Sequence, residues 1–277
     1  MANVPVLIFH SNYENYLKIN CEITSENNNV IFLGDETCER LGKINNVDFY
    51  NFNDFIDDEK MAYYKGYFKN YNSKGDFIWI WYFKLFSILE FLNQTGINSV
   101  FHIDSDNILL DNINLLEYKH ENSFFVLNDW DEFHMTGSIH SGLTSKKLYE
   151  LFADLYEDIF INKSKLHLIQ HKIDFHEKNG GGGICDMTFF YLMDKLNLLE
   201  NDNLIYPKEK GDSKVVFMTN YGNGEGFETR DQYLMKGKYI KIFKNMKRKT
   251  KTNEIIVVSG NVSNVSCTVT HVYLSSN

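Results

Sequence analysis

Two carboxylates one residue apart close an apolar run, Ser99-Val100-Phe101-His102-Ile103-Asp104, which continues Ser105-Asp106. In an extended backbone residues i and i+2 project to the same side, so Asp104 and Asp106 are placed to share one hard cation, with Ser105 between them at the same ligand. A cation held that way suits a diphosphate. Spacing alone does not decide the matter, because a chain rich in aspartate forms about one Asp-x-Asp by chance. A second pair exists, Asp129 and Asp131, and it too follows an apolar run, Phe124 to Leu127. The surroundings separate them. Lys84 lies on the strongly apolar stretch Phe77 to Leu92, which leads into the Asp104 strand. A lysine on a buried helix either snorkels to water or meets negative charge, and a bound phosphate is the candidate here. Asp186 opens a helix just after four consecutive glycines, Gly180 to Gly183. It either caps that helix or faces a sugar or its acceptor across a mobile or closely approached backbone.

The elements that must position these groups follow an α/β pattern. Val4 to Phe9 reads as a buried parallel strand ending at the loop His10-Ser11-Asn12. A helix from about Tyr13 to Ser25 follows, then a strand Val30 to Leu33 stopping at Gly34-Asp35, and a third strand, Val47 to Phe52. Strand, helix, strand at this spacing opens a doubly wound sheet. Ligands in such sheets sit beyond the carboxyl ends of the strands, which makes His10, Ser11, Asn12 and Asp35 candidates for nucleotide contact or plain turn formers. Asp54 to Asn72 reads as helix with a loop. The helix bearing Lys84 spans Asp76 to Asn93, capped by Asp76 or Ser73 and closed by Gly96. Strands are expected at Ser123 to Leu127 and Thr136 to Thr144, and helices at Ser145 to Asp158 and Leu166 to His176. His167 and His171 are spaced i, i+4, but no glutamate-containing zinc motif accompanies them, so surface histidines are expected. Late β-rich runs occupy Val215 to Met218, Glu254 to Ser259 and Val265 to Leu274.

The totals bound the function class. The chain has 277 residues, enough for one domain with a large core, and a net charge of −9, which argues against a general nucleic-acid binder. Lysines and one arginine cluster between Lys236 and Lys251, either as a solvated loop or as a peripheral contact to anionic membrane or a charged acceptor. Cys21, Cys38, Cys185 and Cys267 lack zinc-site spacing and fit a reducing compartment. No signal peptide opens the chain, and no stretch reaches the roughly 20 apolar residues of a membrane span, so a cytoplasmic location is expected.

The order of these features resembles the metal-dependent nucleotide-sugar glycosyltransferases of the GT-A fold, closest to the retaining group that includes glycogenin and lipopolysaccharide galactosyltransferases. Trp81-Tyr82-Phe83-Lys84-Leu85 before Phe101-His102-Ile103-Asp104-Ser105-Asp106 is similar to that group's helix bearing a basic residue and strand ending in Asp-x-Asp. Lys84 stands where arginine is usual, which keeps the charge and gives up bidentate geometry. His140-Ser141-Gly142-Leu143 resembles the family's small-residue segment, with His140 in place of Asn. Asp186-Met187-Thr188 resembles its acidic motif, and His271 its late histidine, without the glycine that usually follows. The resemblance implies a mixed sheet flanked by helices in one catalytic domain. Residues 1 to about 110 would bind the nucleotide sugar, and about 111 to 277 the glycan or glycolipid acceptor. It implies a UDP-sugar as the favoured donor, a metal on Asp104, Asp106 and His271, and phosphate contact from Lys84. A nitrogen ligand would favour Mn2+ over Mg2+. Asp186 would orient sugar or acceptor, or act as base if the reaction inverts.

Two other readings stay open. A haloacid-dehalogenase-type phosphohydrolase also places Asp-x-Asp after an apolar strand, but near the N-terminus and with a later acidic cluster. A non-catalytic carbohydrate-binding protein on a degenerate transferase fold would bind sugar without releasing nucleotide.

Overall fold

The computed structural model describes residues 3–69, 71, 77–109, 112–115, 118–127, 134–180 and 183–204, together with strands within 208–259. In chain order the first elements are β1 (Val6–His10), α1 (Asn15–Thr24), β2 (Val30–Gly34), β3 (Val47–Asn51), α2 (Asp58–Tyr67), α3 (Phe77–Thr95), β4 (Ser99–Asp104) and β5 (Asn107–Ile108). They are followed by β6 (Ser123–Val126), β7 (Gly137–Ser145), α4 (Lys146–Tyr156), α5 (Gln170–Asn179), α6 (Asp186–Lys195), β8 (Lys208–Lys210), β9 (Ser213–Phe217) and β10 (Glu254–Ser259). The main sheet has the order β3-β2-β1-β4-β7-β6. β1 to β4 are parallel to one another, and β7 runs antiparallel to both β4 and β6. The expected mixed α/β sheet flanked by helices is what forms.

Alternation along the strands sorts the core onto two faces. Val6, Ile8, Val30, Phe32, Phe101 and Ile103 pack on one side with Leu17 and Cys21 of α1. Leu7, Phe9, Ile31, Leu33 and Val100 pack on the other with α3, α4 and α6. By the same alternation His102 and Asp104 follow Val100 onto the α3 face. The helix α3 is buried along most of its circumference because its sequence is apolar nearly all round, and Ile80 is its exposed exception. Gly96 closes it in the left-handed region (φ 72°), with its N–H donating to Leu92 O. Its proposed caps, Ser73 and Asp76, lie outside the described residues.

The expected helix over 166–176 is two pieces. A 3-10 turn, Leu166–Leu168, meets α5 at Ile169, whose backbone (φ −117°, ψ 1°) is not helical. His167 therefore sits on the 3-10 turn and His171 on α5, not on one continuous helix. Of the run expected at 54–72, the described helix is α2, capped by Asp57, whose carboxylate accepts from Lys60 N. The helix starting after Ser145 ends in a π-helical turn, Glu157–Ile161.

At the β6 border of the sheet, side chains share the strand's pairing with the backbone of residues 202–204. Asn201 Oδ1 accepts from Phe124 N at 2.9 Å while its Nδ2 donates to Phe124 O, and Asn203 repeats the pattern on Val126. With Leu204 N also donating to Phe124 O and Asp202 N to Asn122 O, the two amides help satisfy the backbone groups a neighbouring strand would otherwise take. A smaller sheet of order β5-β10-β9-β8 begins directly after the acidic pair, and β10 falls on the run expected at 254–259. Among the described residues no helix is long and apolar enough to cross a membrane. Cys21, Cys38 and Cys185 are free thiols.

Candidate active site

Strand order reverses between β1 and β4, because β1 connects outward to β2 and β3 before the chain returns to form β4. Open α/β sheets bind ligands at that crevice, outside the carboxyl ends of the strands. The register puts Phe9 opposite Asp104 and His10 opposite Gly34, so His10, Asp35 and Asp104 end at one rim.

Lys84 reaches this rim from α3. Its ammonium lies 2.8 Å from Asp104 Oδ1 and 5.0 Å from the centroid of the Trp81 ring. Lys84 is only 7% exposed, so it does not snorkel; the negative charge it meets here is the Asp104 carboxylate, where sequence reasoning named a bound phosphate. Burial pushes the Asp104 carboxyl up, and Lys84, with smaller contributions from His102 and His140, more than offsets this and holds the group below the usual carboxylate range. Asp106 behaves oppositely: burial first, then the charge of Asp104, push its carboxyl up. One ammonium thus serves two adjacent carboxylates, and the surplus negative charge fits a hard divalent cation. No group of three or more His, Cys, Asp or Glu suited to a metal occurs among the described residues. His271 lies outside them, as do Asp129, Asp131 and the basic segment 236–251.

The β1 side is tied together by its loops. Asn12 adopts a left-handed backbone (φ 66°), and its N–H donates to Asp35 Oδ2 at 2.5 Å. Asp35 Oδ1 caps the 3-10 helix Glu36–Lys43 by accepting from Thr37 N. Both Asp35 oxygens hold loop structure; burial raises its carboxyl, and the bonds from Thr37 and Asn12 bring it below the usual range. Ser11 begins the same loop. His10 Nδ1 lies 2.9 Å from Ser105 Oγ, which is also 3.2 Å from Tyr16 OH. Ser105 therefore links β1, α1 and the acidic turn. Burial lowers the imidazole of His10, favouring its neutral form.

Asp186 is the first residue of α6, and Cys185 occupies the cap position that sequence reasoning offered to Asp186. Two contacts fix this helix. Tyr82 OH donates to Ile184 O at 3.1 Å, and Gly137 leaves room for Phe190 and Tyr191, since a Cβ there would lie 2.6 Å from Tyr191 N. Burial pushes the Asp186 carboxyl up to about 6, with Lys84 pulling down and Asp104 pushing up, so these three groups share one electrostatic site. A carboxyl raised on folding adds stability while protonated and loses it as pH rises through its folded pKa. The Tm of the metal-free protein is expected to fall as pH rises from the usual carboxylate range through about 6, and Asp186→Asn to flatten that slope. An unchanged slope in the variant would show that Asp186 is not the group that titrates across this range.

His140 stacks on Phe125 at 4.7 Å and bonds Ser138 Oγ through Nδ1. Burial lowers its imidazole to about 4, against the pull of Asp104. Sequence reasoning passed over His102. It is fully buried, its Nδ1 lies 2.6 Å from Ile139 O, and burial brings it down to about 3. Donation to that carbonyl puts the lone pair of the neutral ring on Nε2, which has no hydrogen-bond partner. The signal was the i, i+2 relation of His102 to Asp104 inside an apolar strand.

No protein-family model and no curated protein matches the chain. Among solved structures it is similar to mouse xyloside xylosyltransferase 1 in its apo form, at 13% identity over 87% of this chain and 92% of that one, with a TM-score of 0.47. It is also similar to the PaToxG glycosyltransferase, at 12% identity over 71% and 70% of the two chains and a TM-score of 0.40. A cytidylyltransferase from Leptospira borgpetersenii serovar Hardjo-bovis shares 13% identity over 64% of this chain and 74% of its own, with a TM-score of 0.34.

Proposed function

We propose that this chain is a glycosyltransferase that moves a sugar from a nucleotide-diphosphate sugar, a UDP-sugar by preference, to a glycan or glycolipid acceptor. The observation that carries the reading is the Asp104–Asp106 pair, joined to buried Lys84 at the crevice between β1 and β4. Donor breakdown releases a diphosphate, and the groups that help are those placed where its charge grows. Asp104 and Asp106 would hold Mn2+ or Mg2+, with His271 as a further ligand. The bound ion supplies Lewis-acid neutralisation of the leaving diphosphate. Lys84 spends one of its three N–H donors on Asp104, and the others are available to phosphate oxygens. His10 and Ser105, with Ser11, Asn12 and Asp35 shaping the rim, would border the nucleoside. Asp186, across the same electrostatic site, would orient the transferred sugar or the acceptor. The basic segment 236–251 would meet an anionic acceptor surface.

The test is incubation with Mn2+ and a panel of nucleotide sugars, following release of free nucleotide and binding of each donor by calorimetry. Slow, chelator-sensitive release of nucleoside diphosphate is expected from at least one donor. Absence of both release and binding across the panel would overturn the reading. Pyrophosphate exchange with a nucleoside triphosphate would point to nucleotidyl transfer instead.

A further inference from the structure

The helix α1 carries a polar stripe that the proposed chemistry leaves unused: Tyr16, Asn20 and Thr24, each four residues from the next, continued beyond the helix by Asn28. Residues at that spacing share one face, and Asn20, Thr24 and Asn28 are all buried. A helix packed on a sheet normally buries apolar side chains there. The bonds of this stripe explain the exception. Asn20 Nδ2 donates to Ser105 O and to Asn107 O, each at 2.7 Å. Asn20 Oδ1 accepts from Thr24 Oγ1 at 2.8 Å, and Thr24 Oγ1 in turn accepts from Leu109 N. Asn28 Oδ1 accepts from Ile113 N one step further along.

The donor directions leave this network a single solution. Turned over, the Asn20 amide would set its oxygen against two carbonyls and face the Thr24 hydroxyl with an N–H group. The two carbonyls it holds belong to the residues on either side of Asp106, so the peptide plane entering Asp106 and the one leaving Asn107 are both fixed. Asn107 clamps the turn from the opposite side, donating through Nδ2 to Ser141 Oγ and to His140 O. Two like charges on a short turn repel, and a turn left free would separate them.

We propose that Asn20 and Thr24 are positioning residues that hold Asp104 and Asp106 in register for one ligand; this rests on reading the pair as a cation-diphosphate site. Neither residue touches the ligand. The experiment measures Mn2+ affinity by electron paramagnetic resonance of the free ion, together with amide exchange at Leu109. Asn20→Leu and Thr24→Val are expected to weaken Mn2+ binding about tenfold and to speed that exchange, by analogy with the effect of outer-shell partners on metal sites. Thr24→Ser keeps the hydroxyl and is expected to stay within about twofold of wild type. Asn28→Ala loses buried bonds of the same kind away from the pair and is expected to lower Tm with Mn2+ affinity kept. Wild-type affinity in both Asn20→Leu and Thr24→Val would overturn the proposal, as would equal weakening in Asn28→Ala. If wild type itself takes up no Mn2+, the cation-site reading falls and the positioning role falls with it, an outcome distinct from variants that bind as wild type does.

Discussion

Asp104→Ala is expected to abolish Mn2+ uptake and metal-dependent donor binding, and to lower stability by about 2–3 kcal/mol. That value is set below the usual cost of breaking a buried pair because the Asp104 side chain keeps 27% exposure. The loss comes from the partner left behind, since the variant strands an ammonium whose side chain is 9% exposed. Asp106→Ala should part company with it. That substitution also removes a metal ligand, but it deletes a carboxyl raised by burial and by Asp104, so the metal-free fold should gain stability at neutral pH. Calorimetric titration with Mn2+ and urea denaturation of the two variants test this. Equal destabilisation, or normal turnover in either, would sink the assigned site.

Lys84→Met keeps the unbranched stem, one atom shorter, and removes its charge. In the proposed reaction it should cost about 10²–10³ in kcat, the scale found for a single group that stabilises developing charge. The same change removes the group that holds Asp104 low, so the Asp104 carboxyl should titrate upward. The acid limb of the pH–rate profile is then expected to move to higher pH. A loss confined to KM would mean that Lys84 binds the donor without favouring the transition state. An unmoved acid limb would mean that the 2.8 Å pair does not set the ionisation of Asp104.

β1 and β2 were legible because each is a continuous apolar run, and β10 falls on its expected residues. Lys84 was legible as a conflict, a cation on an apolar helix, and the conflict resolves at Asp104. What sequence reasoning missed were polar residues inside patterns read for their apolar members. Asn20 and Thr24 sit in a helix judged by its apolar periodicity, and their partners are more than eighty residues away, beyond any local signal. His102 was hidden the same way within β4. The break at Ile169 has no glycine or proline to announce it. Tertiary packing decides such places, and local propensity does not report on packing.

The amide-bonded border at β6 has a consequence in time. Asn201 and Asn203 each present one donor and one acceptor to the strand, which a carboxylate in place of the amide cannot do. Asparagine is among the thermolabile residues, and slow hydrolysis of its amide leaves a carboxylate facing a backbone carbonyl. Ageing at either position would unlatch Phe124 or Val126 and turn a closed border into a template for another chain. The shelf life of the folded protein would then be set by two side-chain amides remote from the proposed chemistry.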